Sequence, residues 1–373
     1  MKVDKTKWEH ALIKDVIKTL KVKEAVQKKD YLLTGKYPII SQEKDFISGY
    51  CNSVDSLNDN LSNVVIFGDH TRIVKYVDFD FCVGADGVKV LQPNNKLSAK
   101  YLYYVIKWSD IPSNGYSRHF KFLKEIGIKY PKDKSIQQAI ASELDAIQAM
   151  IDGYKAQLED LNALAQSIFL DMFGNVAIND KCWEITPMGQ LGDFKNGLNY
   201  SKGEKGKVLK IIGVGDFQNI KKLSSFEDIP TIEVKYIPQE YLLNNEDIVF
   251  VRSNGNKNLV GRCLEVYPND AEVTFSGFCI RFRKSVEISN KYLIALLTDS
   301  GFKKTHLLKS NGIGIQNINQ KLLSSLPIPV PSADLQQLFA LKVETIEQQK
   351  EQLRLQLQDA ETLMAERMQY YFS

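Results

Sequence analysis

The chain has 373 residues, 44% of them hydrophobic and 25% charged, which excludes a disordered or fibrous chain and suits two or three globular domains. Its net charge of +3 is too small to identify a polyanion partner, so any such partner must be argued from local clusters. Five cysteines (Cys51, Cys82, Cys182, Cys263, Cys279) without a CxxC pair exclude a disulfide framework or a zinc ribbon, and the absence of an apolar run of ~18 residues or a signal core points to the cytoplasm.

Residues 1–29 are lysine-rich, and Leu12, Ile13, Val16, Ile17 and Leu20 predict a short amphipathic helix. Short β-type runs follow at 37–40, 63–67, 72–77, 79–83 and 88–91, with Gly84-Ala85-Asp86-Gly87 as a turn before the last. A helix is expected over 97–108, broken by Ile111-Pro112-Ser113-Asn114-Gly115. Residues 1–130 therefore read as one α+β head.

The next stretch, 131–174, organises the chain. Ile136, Ile140, Leu144, Ile147, Ile151, Tyr154, Leu158, Leu161, Ala165 and Ile168 recur at spacings of three and four, an apolar seam long enough for a coiled coil. After a second head at 175–330 the seam returns in the same register over 331–373. Its members there are Leu335, Phe339, Val343, Ile346, Lys350, Leu353, Leu357, Ala360, Met364 and Arg367. The approaches match as well, since Pro131 before Ile136-Gln137-Gln138 parallels Pro331 before Leu335-Gln336-Gln337.

The second head repeats the plan of the first. Trp183-Glu184 mirrors Trp8-Glu9, strands are predicted at 210–214, 247–251 and 279–283, and a helix at 292–298 answers the one ending at Trp108. Helices of roughly 35 residues span on the order of 50 Å. A parallel pair would hold the two ends of segment 175–330 that far apart, whereas domain termini usually lie close together. The expected fold is α+β, with two α/β heads separated by a long antiparallel two-helix coiled coil of approximate two-fold symmetry. An ordinary helical hairpin inside one core is the competing account, and the unbroken length of the seam argues against it.

The sequence carries no catalytic signature. Gly203-Glu204-Lys205-Gly206-Lys207 lacks the spacing and hydroxyl of a phosphate loop, and there is no GxSxG elbow, HExxH helix or dinucleotide fingerprint. The four histidines, His10, His70, His119 and His306, are scattered.

Polar loops recur in the two heads instead. In the first they supply His70, Thr71, Arg72, Lys75, Asp86, Lys89, Tyr116, Ser117, Arg118 and His119. In the second they supply Lys195, Asn196, Arg252, Ser253, Asn254, Lys257, Ser310, Asn311, Gln316 and Asn317. Guanidinium and amide groups match base edges in the major groove, and Arg72, Arg118, His119, Arg252, Asn254, Asn311 and Gln316 are the expected base readers. Lysines such as Lys75 and Lys195 suit phosphates. Taken singly, each loop is equally a solvated turn built on Asn, Ser and Gly. Asp69 and Asp86 are equally turn caps, and His119 a half-buried, satisfied histidine. The case rests on recurrence at corresponding places.

This arrangement resembles the specificity (S) subunit of type I restriction-modification systems. In the second head the resemblance lies in Glu246-Asp247-Ile248-Val249-Phe250-Val251-Arg252-Ser253, Ser276-Gly277-Phe278-Cys279-Ile280-Arg281-Phe282-Arg283 and Ser310-Asn311-Gly312. It continues through Leu326-Pro327-Ile328-Pro329-Val330-Pro331. In the first it lies in Phe67-Gly68-Asp69-His70-Thr71-Arg72, Gly84 to Lys89 and Tyr116 to Phe120. The run Asn256 to Asn258 departs from it, being longer than the family's short glycine turn.

The resemblance implies that each head is a target recognition domain reading one half of a split, asymmetric DNA site, while the helices set the spacer. It implies two methyltransferase (M) subunits as partners and restriction (R) subunits joining through them. Methylation and endonuclease chemistry, with S-adenosylmethionine, ATP and magnesium, would belong to those partners, leaving this chain non-catalytic and without a cofactor or metal. The rival readings are a protein-binding adaptor with two heads on a rod, and a self-contained DNA enzyme.

Overall fold

The computed structural model describes residues 2–373 apart from 59–60, 114, 116, 201–204, 218–219, 257–258 and 308–316. The chain forms two compact units, Met1–Ala156 with Arg354–Ser373, and Gln157–Leu353. Each unit therefore holds one run of mixed structure together with part of each of the two long helices, Lys134–Phe173 and Ala333–Phe372.

In the first unit the strand Val64–Gly68 lies inside a four-stranded antiparallel sheet, in the order Ile17–Thr19, Val88–Pro93, Val64–Gly68, Val74–Val77. All of its residues are buried, because both faces of the strand are covered. Alternation sends Val65 and Phe67 to the core shared with helix Ala99–Trp108 and the long helices, and Val64 and Ile66 to the opposite core. The latter faces a second sheet ordered Gly49–Cys51, Tyr37–Ile40, Phe81–Val83, Leu57–Asn58, in which Tyr37–Ile40 and Phe81–Val83 run parallel.

The second unit repeats this plan. Asp247–Val251, again wholly buried, lies between Cys279–Lys284 and Cys263–Val266, with Gly192–Asn196 beyond the former. Ile248 and Phe250 serve one core, Val249 and Val251 the other. The parallel pair is now Lys207–Ile212 with Val273–Phe275.

One expectation fails locally. Leu12 to Leu20 do not form a helix: Glu9–Leu12 pairs with Gly127–Tyr130, Ile13–Val16 makes one helical turn, and Ile17–Thr19 pairs with strand Val88–Pro93. Backbone bonding to distant partners overrides the apolar spacing there. The expected strands at 72–77, 79–83 and 88–91 are present, with Val74–Val77 and Phe81–Val83 in different sheets and the 84–87 turn crossing between them.

Each head is held to its long helix by a buried glutamine. Gln137 Oε1 accepts from Ser98 N–H (2.8 Å), and its Nε2 donates to the carbonyls of Lys96 and Pro131 (2.8 Å each). Gln336 does the same in the second unit, accepting from Ser289 N–H (2.9 Å) and donating to Pro331 O (2.8 Å). Ser98 and Ser289 are themselves the N-caps of helices Ala99–Trp108 and Asn290–Thr298.

The apolar seam pairs start on end. In the first unit Ile140, Leu144, Ile147 and Ile151 share a core with Ala360, Met364, Met368 and Tyr371. In the second, Phe169 and Phe173 share one with Phe339, its ring centroids 5.6 and 5.2 Å from theirs. The pairing is antiparallel in both units. Met368, Tyr371, Phe169 and Phe173 extend the seam beyond its predicted members. The charged members are accommodated by pairing: Lys350 binds Glu347 at 2.8 Å, and Arg367 Nε donates to Glu143 (2.5 Å), which also accepts from Tyr371 Oη (2.7 Å). Each buried seam side chain is worth roughly 1.5–3 kcal/mol, more than an exposed ion pair such as Lys155–Glu361. Apolar burial therefore dominates the pairing.

Replacing Gln137 by Ala should lower unfolding free energy by about 1–3 kcal/mol, because three backbone groups lose their partner; urea titration of the variant checks this. Burial opposes ionisation of Glu143, but hydrogen bonds from Arg367 and Tyr371 hold its carboxyl at about 2. That contribution is present above the ordinary value of 4.5 and is lost as pH falls through about 2. Glu143→Gln should therefore be less stable than wild type at pH 7, with the difference closing as pH drops from 4.5 toward 2 in thermal melts.

Candidate nucleic-acid interface

The central strand of the first head ends at Gly68, and the next residue, Asp69, is only 3% exposed. Its N–H donates to Gly87 O (2.7 Å), and its carbonyl accepts from His119 N–H (2.8 Å). Its carboxylate accepts from Phe120 N–H (2.8 Å), at the start of helix Phe120–Lys124. One residue thus gathers the three polar loops that the sequence places far apart.

Gln42 adds a fourth segment. Its Nε2 donates to Asp86 O (2.8 Å), its Oε1 accepts from His70 N–H (3.1 Å), and its carbonyl accepts from Thr71 Oγ1 (2.7 Å). The fit leaves no room at Gly87. Its φ is +76°, and a Cβ there would lie 2.7 Å from His70 Cδ2 and 2.8 Å from Gln42 Nε2.

Around this hub Thr71, Arg72, Asp86 and Arg118 are exposed, while His70, Lys89 and Ser117 are half-buried. Arg72 adopts φ +60° and donates from Nη1 to Ile111 O (2.9 Å). Arg118 has no hydrogen bond or ion pair among the described residues. Tyr116 lies outside the described residues.

Two expected DNA contacts are corrected by burial. His119 is 1% exposed with Nδ1 2.9 Å from Asp69 O, so it braces the hub and does not face a groove. Lys75 is 4% exposed, and its ammonium is bound by the carbonyls of Asp45 and Phe46. Burial pulls its pKa below the usual lysine value. Lys75 is a strut for the loop that carries Gln42, not a phosphate contact.

The second head repeats the backbone scheme with other side chains. Arg252 follows the central strand as Asp69 does. Its N–H donates to Phe278 O (2.8 Å), and its carbonyl accepts from Ile318 N–H (2.8 Å). Strand registers agree, with Gly68 opposite Val88 in one head and Val251 opposite Cys279 in the other. Arg252 Nη1 reaches Gly277 O at 3.4 Å, and Ser253 bridges to Asn317. The segment after Gly192–Asn196 joins the cluster through Leu198, which donates to Phe275 O (2.8 Å) and accepts from Gly277 N–H (2.9 Å).

Asn196 and Asn317 are exposed, and Asn254 caps its own turn by accepting from Asn256 N–H (2.7 Å). Lys195 is ion-paired with Glu240, which raises its pKa, and lies 4.7 Å from the Tyr241 ring centroid. Lys257, Ser310, Asn311 and Gln316 lie outside the described residues. Sequence reading missed Gln42, the hub role of Asp69 and the Ser276–Cys279 turn. Gln42 meets its partners only because strands Tyr37–Ile40 and Phe81–Val83 pair in parallel, which no local pattern announces.

Among the described residues no cluster of His, Cys, Asp and Glu is arranged to hold a metal ion, and no helix is long and apolar enough to cross a membrane. What the two clusters offer is a convergent set of guanidinium, amide, hydroxyl and backbone groups suited to base edges and phosphates.

Comparison with known proteins agrees. The StySPI specificity subunit of a type I restriction enzyme from Salmonella potsdam is 29% identical over 57% of this chain and 50% of its own length. A type I restriction enzyme specificity subunit of Escherichia coli is 25% identical over 84% of this chain and 80% of the relative. The fold matches the crystal structure of the type I restriction-modification S subunit from M. genitalium with a TM-score of 0.62 at 17% identity, over 100% of this chain and 98% of that one. The model of the type I restriction modification DNA specificity domain matches residues 5–163 and again 180–359. DNA specificity is the role that the names of this domain and of these subunits carry. Carrying that domain twice, the chain belongs to the type I restriction modification DNA specificity family.

Proposed function

We propose that this chain is the sequence-recognition subunit of a type I restriction-modification complex. Residues 1–130 and 175–330 act as target recognition domains, each reading one half of a bipartite, asymmetric site. Helices 131–174 and 331–373 set the number of unread base pairs between the halves. Two methyltransferase subunits, with restriction subunits where these exist, supply the chemistry in the cytoplasm. S-adenosylmethionine, ATP and magnesium are theirs.

The observation that supports this reading most is the shared backbone scheme. Asp69 with Gly87 and His119, and Arg252 with Phe278 and Ile318, hold the loops in the same way while presenting different side chains. A constant frame with variable contacts suits two half-sites of different sequence. In the first head Arg118, Thr71, Arg72, Asp86, Lys89, His70, Ser117 and Tyr116 are the proposed contacts. In the second they are Arg252, Ser253, Asn254, Asn196, Asn317, Lys195, Lys257, Ser310, Asn311 and Gln316. An adaptor would instead favour apolar contact surfaces, and both clusters are mainly polar.

Inserting four residues into each long helix should lengthen the unread spacer and leave both half-sites unchanged. Sequencing methylated sites in cells carrying the chain and its methyltransferase measures this, and an altered half-site would overturn the reading. In the same assay Asp69→Ala should reduce methylation about 10–100-fold, as expected when a head loses one or two base contacts. Suppressor sites that restore methylation should differ in one half-site only.

A further inference from the structure

The two heads differ most in chemistry where their backbones agree. The carbonyl that receives the hub amide belongs to Gly87 in the first head and to Phe278 in the second. At Gly87 a side chain is excluded by Gln42 and His70. At Phe278 a phenyl ring is present and 63% exposed.

Isolated exposed apolar side chains are ordinary on protein surfaces. Phe278 differs in how firmly its backbone is held. It is the third residue of a turn closed by Cys279 N–H to Ser276 O (2.8 Å). Its own N–H donates to Ser276 Oγ (3.3 Å), and its carbonyl accepts from Arg252 N–H (2.8 Å). Arg252 Nη1 lies 3.4 Å from the preceding carbonyl, that of Gly277. An exposed apolar side chain thus stands on a backbone that is held to Arg252, next in the chain to Ser253 with its bridge to Asn317.

We infer that Phe278 reads the C5-methyl group of one thymine in the half-site bound by the second head. This rests on the DNA-recognition reading above. The inference follows from complementarity: hydrogen-bonding groups line the major-groove edges of the bases, and the thymine methyl is the apolar feature among them. Arg252, whose N–H holds the Phe278 carbonyl, suits the hydrogen-bonding edge of a flanking base. The first head, with Gly87 at the matching position, lacks this contact.

The test uses the full chain in complex with its methyltransferase and duplexes in which each thymine of the recognised site is replaced singly by deoxyuridine, which removes only the methyl. One position in the second half-site should weaken wild-type binding about fourfold, the worth of one buried methyl. Phe278→Ala should lose that sensitivity, keep the first half-site and melt at the wild-type temperature, and Phe278→Leu should retain part of the effect. If no uracil position separates wild type from Phe278→Ala, or if the second half-site contains no A·T pair, the inference is wrong. Fluorescence of a neighbouring 2-aminopurine that rises with wild type and not with Phe278→Ala would show an inserted wedge and also overturn it. Wild-type complex that binds a duplex with both half-sites scrambled as tightly as the recognised site would instead reject the recognition role itself.

Discussion

The buried glutamine at the start of each long helix is the constraint on which the architecture depends. Gln137 and Gln336 use both ends of a side-chain amide to join the N-terminus of a head helix to the backbone at the base of the rod helix. A planar amide with its partners satisfied in a dry setting tolerates little tilt, since a partly made network costs more than none. The angle between head and helix is therefore fixed by stereochemistry, and hydrophobic packing, which is non-directional, is left to supply the bulk of the stabilisation. A protein that must present loops to a rigid duplex needs this division between adhesion and alignment.

Beyond that joint, each head separates frame from contact. The central strands, buried on both faces, hold the hub residue, and the hub's amide and carbonyl hold the loops. Because the bonds common to both heads are made by backbone atoms, the hub side chain differs between them, the Asp69 carboxylate being used within its own head to hold Phe120. Asp69 and Arg252 occupy equivalent places with opposite charges, and Lys89 and Ile280 occupy equivalent places on the neighbouring strands.

Much of this was legible in the sequence. The seam of Ile140, Leu144 and Ile147, the unbroken apolar runs ending at Gly68 and Val251, and the repeated Pro and Gln before each long helix carry their meaning locally, through periodicity and position. What escaped reading depended on distance along the chain. Leu12 to Leu20 have helical spacing, yet strands from the far end of the head claim their backbone. Lys75 and His119 have the composition of contacts and the burial of struts, because their partners are backbone carbonyls at Asp45, Phe46 and Asp69. Gln42 looked like any polar loop residue until a parallel strand pair brought it beside Asp86.

The strands that open and close each head are bonded to one another: Glu9–Leu12 to Gly127–Tyr130, and Glu184–Pro187 to Pro327–Val330. Tyr101 and Tyr292 fasten the closing strands from within, through the carbonyls of Lys129 and Pro329 at 3.1 and 2.7 Å. The polypeptide thus goes in and comes out through a single zipped neck, with the two ends of each head held side by side. Genetic exchange whose crossovers fall in the two neck strands would transplant a whole head. A lineage would then acquire a new head in one recombination step.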